Sequence, residues 1–389
     1  MRDEAEYKGE SEAGGPGGRR CRDAQGVSYL PPTRDLRERL DTAQTLSRLF
    51  YAEQALVLWC GESIPQAPRL EAKAELAQTA WESALAGDAL RERVFELRYP
   101  SRFLDDRAEP PHAVEPDAER IRDEYRAYLE TTNPLADGPS IRIVAAAVRD
   151  KERQVETLAG VELTGGRDDR YLDASFYWPD VLDPDYPYGE GVALQVRSAV
   201  SHLNEVWAVD TAARILHDLS PELGWEFARD AARWLYDETR HMLMGKERLD
   251  RWGLSPGQIP LGGYIYEAWQ GEDALYGLGM LGYFETKNIG RKRERARAFE
   301  EMGDRTSETH MEFDWADETL HAEYGRRWLR KLLETRGQDP ESWPEVLERC
   351  ERLVRERISQ AVPGDLERIR AAADELVRAA GERAAVRDV

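Results

Sequence analysis

The 389-residue chain carries a net charge of −21, with 33% charged and 41% hydrophobic residues, a balance that suits a folded protein of two or three domains with a sizeable core and argues against a nucleic-acid partner, which needs a basic face. Its three cysteines, Cys21, Cys60 and Cys350, stand far apart with no CxxC spacing, which excludes a disulfide framework, a zinc ribbon and a rubredoxin-type iron centre. No apolar run approaches the roughly 20 residues that cross a bilayer, and the polar, Gly-rich start lacks the apolar stretch of a signal peptide, so no membrane partner and a cytoplasmic location are expected.

Residues 1–33, rich in Gly, Glu and Arg without periodicity, are expected to be disordered. Residues 34–140 read as an N-terminal helical region. Leu46, Leu49, Phe50, Ala52, Leu56 and Trp59 recur at helical spacing until Pro65 and Pro68 break the run. A second helix covers about 69–97, with Leu76, Trp81, Leu85, Leu90 and Phe95 as its apolar side. The stretch 99–118 holds four prolines and reads as a connector, followed by a further helix at 117–131. Residues 141–191 are expected to contain short strands, with the apolar runs 141–148 and 158–163 as candidates. The Asp/Tyr/Pro-rich loop 165–191 within that span is either a lid over a site or a plain connector.

After Gly191 the character changes to long helices, placed at about 192–219, 222–251, 271–302 and 305–336 within a unit spanning 192–337. Ser220 followed by Pro221 reads as N-cap and first helical position, and Gly303 followed by Asp304 as a helix end and the next cap. The longer stretch 253–271 joins the two helical pairs. A charged C-terminal helical region, 338–389, breaks at Pro363 and Gly364.

Two Glu-x-x-His motifs lie in this unit, Glu238 with His241 and Glu318 with His321. Positions i and i+3 of a helix share a face, so each motif aims a carboxylate and an imidazole the same way. One such motif is weak evidence in a Glu-rich chain; the spacing strengthens it. Glu205 precedes Glu238 by 33 residues (238 − 205), and Glu285 precedes Glu318 by 33 (318 − 285). A two-metal carboxylate bundle needs a bare Glu on each of two helices and Glu-x-x-His on each of the other two. The midpoints of both pairs, near 222 and 302, coincide with the expected turns. Each pair is therefore level across a hairpin, roughly 25 Å from its turn at about 1.5 Å per residue. Apolar neighbours such as Trp234, Leu235 and Met242 beside Glu238, or Leu278 and Leu281 beside Glu285, make these carboxylates inward-facing. Buried carboxylates need neutralising, and two metal cations would do so. A reading as polar boundary residues or buried ion pairs explains neither the equal spacings nor the paired histidines.

With these motifs, Asp237-Glu238-Thr-Arg-His241 and Asp317-Glu318-Thr-Leu-His321, the chain resembles the ferritin-like di-iron carboxylate superfamily over roughly 145 residues. The fold so implied is mainly α: a ferritin-like four-helix bundle with an additional N-terminal helical region and a short β segment. The resemblance implies Glu205, Glu238, His241, Glu285, Glu318 and His321 as ligands of two iron ions, with Glu238 and Glu318 bridging. It gives Asp237 and Asp317 the task of hydrogen-bonding a ligand histidine of the other hairpin. Arg240 matches the superfamily's Arg and Leu320 does not. Manganese or a mixed Mn/Fe pair suits the same O/N donors.

His202, His310 and Asp314 are near the motifs; the histidines read as structural more readily than as ligands, and Asp314 is an optional extra ligand. Tyr236, Tyr283 and Trp315 read as packing, with a radical role the alternative. Glu53 lies in an apolar stripe without a Glu-x-x-His partner. The expected function is an O2-dependent di-iron oxidase or oxygenase on a small organic molecule, by hydroxylation, N-oxidation, desaturation or oxidative cleavage. An external electron donor and a homodimer are compatible with it. A ferroxidase or peroxidase of ferritin or rubrerythrin type is the second reading, disfavoured by the long N-terminal part and the missing rubredoxin cysteines. A non-catalytic helical interaction protein is the third.

Overall fold

The computed structural model describes residues 38–99 and 116–387. The expected disordered start, 1–33, and most of the expected connector 99–118 lie outside the described residues, as does Cys21. The described chain is mainly helical.

Helices α1 (Arg39–Ser63) and α2 (Leu70–Arg98) fold back on each other across a 3-10 turn, Ile64–Gln66. Pro65 lacks an N–H and opens that turn, and Pro68 disfavours helical geometry at Ala67, which is extended at φ −80° and ψ 114°. Leu46, Leu49, Phe50 and Leu56 of α1 meet Leu76, Ala80 and Leu90 of α2 in the core. Leu85, expected on the apolar side, is 49% exposed. Helix α3 (Ala118–Thr131) is capped by Asp117, whose carboxylate accepts the Glu119 and Arg120 N–H groups.

The candidate strand 141–148 is not a strand: it lies inside α4 (Gly138–Leu158), and 158–163 is the end of that helix followed by coil. The buried positions of α4 are Ser140, Val144, Ala147, Lys151 and Gln154, a helical period. Three of them, Ser140, Lys151 and Gln154, are polar, so hydrophobicity alone hides the period. Lys151 sits 2.6 Å from Glu53, which also accepts the Tyr125 hydroxyl at 2.5 Å. Glu53 is thus held in a buried ion pair joining α1, α3 and α4. The β structure among the described residues is one short parallel pairing, β1 (Leu172–Asp173) with β2 (Pro260–Leu261). It pins the loop 165–191 to the later crossover.

The expected helix 192–219 is two helices, α5 (Val192–Leu203) and α6 (Val206–Leu223), and the turn before α7 (Trp225–Arg251) is Gly224 rather than Ser220 and Pro221. Asn204 breaks the first. Its side chain donates to Pro260 O at 3.0 Å and accepts Gly262 N at 2.7 Å, so it binds the crossover loop. Pro221 is accommodated in the last turn of α6, where its missing N–H costs one helical bond. Gly224, at φ 83°, takes the left-handed conformation that reverses the chain. The crossover carries the short α8 (Tyr264–Ala268) and leads to α9 (Ala274–Glu301) and α10 (Arg305–Thr335). Between these two, Gly303 has φ 71° and Asp304 accepts Ser307 N at 3.0 Å, the turn expected there. Helix α11 (Trp343–Ser359) packs on α9, and α12 (Asp365–Arg387) on α5.

One apolar core runs from Ala43 of α1 to Ala380 of α12, through Trp225, Trp234 and Leu281. Helix α1 packs on α6 and α2 on α7, so the N-terminal helices back the hairpin that carries Glu205 and the first Glu-x-x-His motif. None of the described helices is long and apolar enough to cross a membrane.

Candidate metal centre

The helical repeat that buries Ala231, Trp234 and Leu235 of α7 carries Glu238 and His241 inward with them. The same holds on α10, where Met311, Asp314, Glu318 and His321 share the buried side. Helix α9 contributes Glu285, and the break between α5 and α6 contributes Glu205. All six residues expected as ligands come together. Donor atoms of Glu238, Glu285, Glu318 and His321 lie within 4.8 Å of one another, and so do those of Glu205, Glu238 and His241. Glu238 is common to both groups. Asp314, the optional ligand, joins His241 and Glu318 in a further group, and His202 and Glu205 in another. The residues are buried, Glu205 least so at 15% side-chain exposure.

Each histidine is oriented from behind. His241 Nε2 is 3.3 Å from Asp317 Oδ2, and His321 Nε2 is 3.3 Å from Asp237 Oδ2. An ionised carboxylate only accepts, so both Nε2 atoms carry a proton and both Nδ1 atoms are turned toward the glutamate carboxylates. His321 Nδ1 is 3.2 Å from Glu238, and His241 Nδ1 is 3.5 Å from Glu205. Arg240 ties the two aspartates, at 2.7 Å from Asp237 and 3.0 Å from Asp317. Arg233 adds a second cation, 2.6 Å from Asp237.

The electrostatics of the cluster are those of crowded charge. Burial, then the neighbouring Glu318 and Glu238 carboxylates, push the Glu285 carboxyl well above its usual range. Burial also raises Glu318. Burial opposes ionisation of Glu238, but His241 and His321 outweigh it and hold its carboxyl low. His241 and His321 are raised despite burial by the acids around them. Proton sharing between carboxylates and imidazoles is how such a cluster balances itself without a metal.

Four buried donor atoms in this cluster lack a hydrogen-bond partner: Glu205 Oε2, Glu285 Oε2, His241 Nδ1 and His321 Nδ1. Buried polar atoms are normally satisfied, so these orphans, two in each of the two donor groups, fit cations with O/N donors.

Lys292 escaped the sequence reading. Its ammonium lies 2.5 Å from Glu318 Oε1, 2.6 Å from Asp314 Oδ1 and 3.6 Å from Glu205 Oε1. Burial opposes its charge, but Asp314, Glu205 and Glu318 raise it well above the usual lysine range. The available signal was its place seven residues after Glu285, two turns along the same face. His202 is likewise bound up: Arg248 donates to its Nδ1 at 2.6 Å, so its Nε2–H donates to Asp314 at 2.9 Å. Burial and then Arg248 push His202 down to about 4, which keeps it neutral. His310 is outside the cluster, 3.4 Å from Glu247. Trp234 Nε1 donates to Glu238 at 3.1 Å.

A cleft of about 860 Å³ opens from the surface onto Glu205, Glu238, Glu285 and Glu318. Tyr177 and Tyr188 of the loop 165–191 form part of its wall, with Trp207, Tyr264 and Tyr283 from the helices. Tyr236 and Trp315 are half-buried, and Trp315 lies under the Arg293 guanidinium at 5.8 Å.

No curated protein and no solved structure matches the chain. Residues 191–374, a span that holds every residue of the cluster, are similar to a family described as a protein of unknown function (DUF455).

Proposed function

We propose that the chain is an O2-dependent di-iron oxidase or oxygenase built on a ferritin-like four-helix bundle of α5–α6, α7, α9 and α10, acting on a small organic molecule. The observation that carries this reading is the set of four unpartnered buried donor atoms, on four of the six residues that the paired motifs and their 33-residue spacing single out. Glu238, Glu285, Glu318 and His321 would hold one metal, and Glu205, Glu238 and His241 the other, with Glu318, which also groups with His241 and Asp314, open to both. Bound iron would supply O2 activation and the oxidising power, which protein side chains lack.

What the chain's own residues do is orient, exclude water and hold protons. Asp237 and Asp317 fix the imidazole tautomers and leave Nδ1 free to ligate. The aromatic wall of the cleft excludes water from an organic substrate and stacks on it. Among the described residues, Arg291 and Arg295 line the same cleft without a carboxylate partner, which suits a substrate with an anionic group. A cleft of this size and lining favours an organic substrate over ferrous iron alone, and so an oxygenase over a ferroxidase.

The deciding experiment is elemental analysis of the purified chain, followed by O2 uptake and absorbance of the anaerobically reduced, iron-loaded protein. Close to two iron or manganese atoms per chain and O2 consumption are expected. Failure to retain or bind any transition metal would overturn the reading.

A further inference from the structure

The two halves of the cluster are not equivalent. Among the described residues, the ion-pair contacts of Glu238 and Glu285 are with His241 and His321, and Lys292 acts on Glu285 only at longer range. On the Glu205 side, an ammonium group already occupies the space between the carboxylates. Lys292 Nζ touches Asp314 and Glu318 and lies 3.6 Å from Glu205. Glu205 would ligate the second metal alone, and Glu318 is open to both. A lysine ammonium and a divalent cation want the same thing from such a pocket, several oxygen donors at short range, and two cations within a few ångströms repel strongly in a poorly solvated site. They cannot share it.

We propose that Lys292 is a built-in cation of the second metal position, so that one metal binds first to Glu238, Glu285, Glu318 and His321, and the second binds more weakly because it must expel the Lys292 ammonium. This inference rests on the di-metal reading given above. The expulsion has a route: Lys292 itself lines the open cleft, so rotation about its own side-chain bonds carries the ammonium to water without moving α9. Asp314 is the group that makes the arrangement stable before metal arrives. It is anchored by the His202 Nε2–H at 2.9 Å and presents its other oxygen to Lys292 at 2.6 Å. When the ammonium leaves, that oxygen is released toward the second position, where Asp314, His241 and Glu318 donor atoms already lie within 4.8 Å of one another. Lys292 therefore acts as a positioning residue that sets the order and spacing of metal loading.

The test is titration of the metal-free full-length chain with Mn(II), followed by calorimetry and by the electron paramagnetic resonance of free and coupled Mn(II). For the wild type, two binding steps separated by at least about tenfold in affinity are expected. In Lys292→Met the second step should tighten by at least about tenfold while the first moves by less than about threefold. Lys292→Gln, which keeps a polar group against Asp314, should show the same direction and serves if the Met variant does not fold. Two steps of equal affinity in the wild type, or a second step unmoved in both variants, overturn the inference and leave the di-metal reading standing. No Mn(II) binding to any of the three proteins overturns that reading and the inference with it.

Discussion

His241 Nε2 on α7 lies 3.3 Å from Asp317 Oδ2 on α10, and the contact is mirrored by His321 on α10 and Asp237 on α7, also at 3.3 Å. Each Glu-x-x-His motif thus has its imidazole held by the residue that immediately precedes the other motif's glutamate. Asp317→Asn and Asp237→Asn should leave the helical content unchanged and lower metal affinity by about 10–100-fold, because an amide can offer its N–H where only an acceptor fits. Metal titration alongside circular dichroism checks this; wild-type affinity in both variants would remove the assigned role.

Glu285 faces two other buried carboxylates, Glu238 and Glu318, with no ion pair of its own stronger than a 3.9 Å approach of His321. Glu285→Gln should therefore relieve repulsion in the metal-free protein while depriving the first metal position of a ligand. The chelated variant should melt no lower than the chelated wild type, and the rise in melting temperature on adding metal should shrink. A structural ion-pair role for Glu285 predicts the reverse, a chelated variant that melts far lower.

The Glu53–Lys151 pair is buried on both sides, at 0% and 1% side-chain exposure, and lies away from the metal cluster. Lys151→Met leaves the Glu53 carboxylate buried and uncompensated, and should cost about 3–5 kcal/mol in denaturant unfolding. The double variant Glu53→Gln/Lys151→Met should recover part of that loss, and metal content of the folded fraction should be unchanged in both.

Asp168 anchors the start of the loop that walls the cleft. Burial opposes its ionisation, but hydrogen bonds from Arg170, the Leu70 N–H and Arg69 prevail and lower it from 3.8 to about 2. A carboxyl lowered on folding contributes stability that is complete above about 4 and lost as pH falls toward 2. Asp168→Asn should lower the melting temperature at pH 7, and the gap from wild type should close between pH 4 and pH 2. A gap independent of pH over that range would show that the side chain matters by shape rather than by charge.

Gly245 of α7 is where α5 makes its close approach: a Cβ there would stand 2.2 Å from Leu203 N and 2.6 Å from Ala199 O. Both obstacles are backbone, so α5 itself must shift. Gly245→Ala should destabilise by about 1–3 kcal/mol or more. Because Glu205 follows Leu203 by two residues, the variant should also bind the second metal more weakly, a loss that titration separates from the stability effect.

The sequence by itself determined what depends on spacing along one helix. The i, i+3 relation puts Glu238 with His241 and Glu318 with His321 on single faces, and the equal 33-residue separations set Glu205 and Glu285 near them even when a turn falls three or four residues from its expected place. That tolerance is why moving the first turn from Ser220 and Pro221 to Gly224 did not disperse the group. The helical nature of α4 was hidden because its inner face includes Lys151 and Gln154, whose burial makes sense only opposite Glu53 and Ser83 on other helices. The break at Asn204 was hidden for a like reason, since the groups that hold Asn204 belong to the crossover loop 56 and 58 residues away. Only the tertiary structure decided that Lys292 enters the carboxylate cluster and that Arg248, through His202, anchors Asp314 there. A charged side chain has the same local pattern whether it faces water or a neighbouring helix, and the crossing of α5, α7, α9 and α10 is what sets its partner.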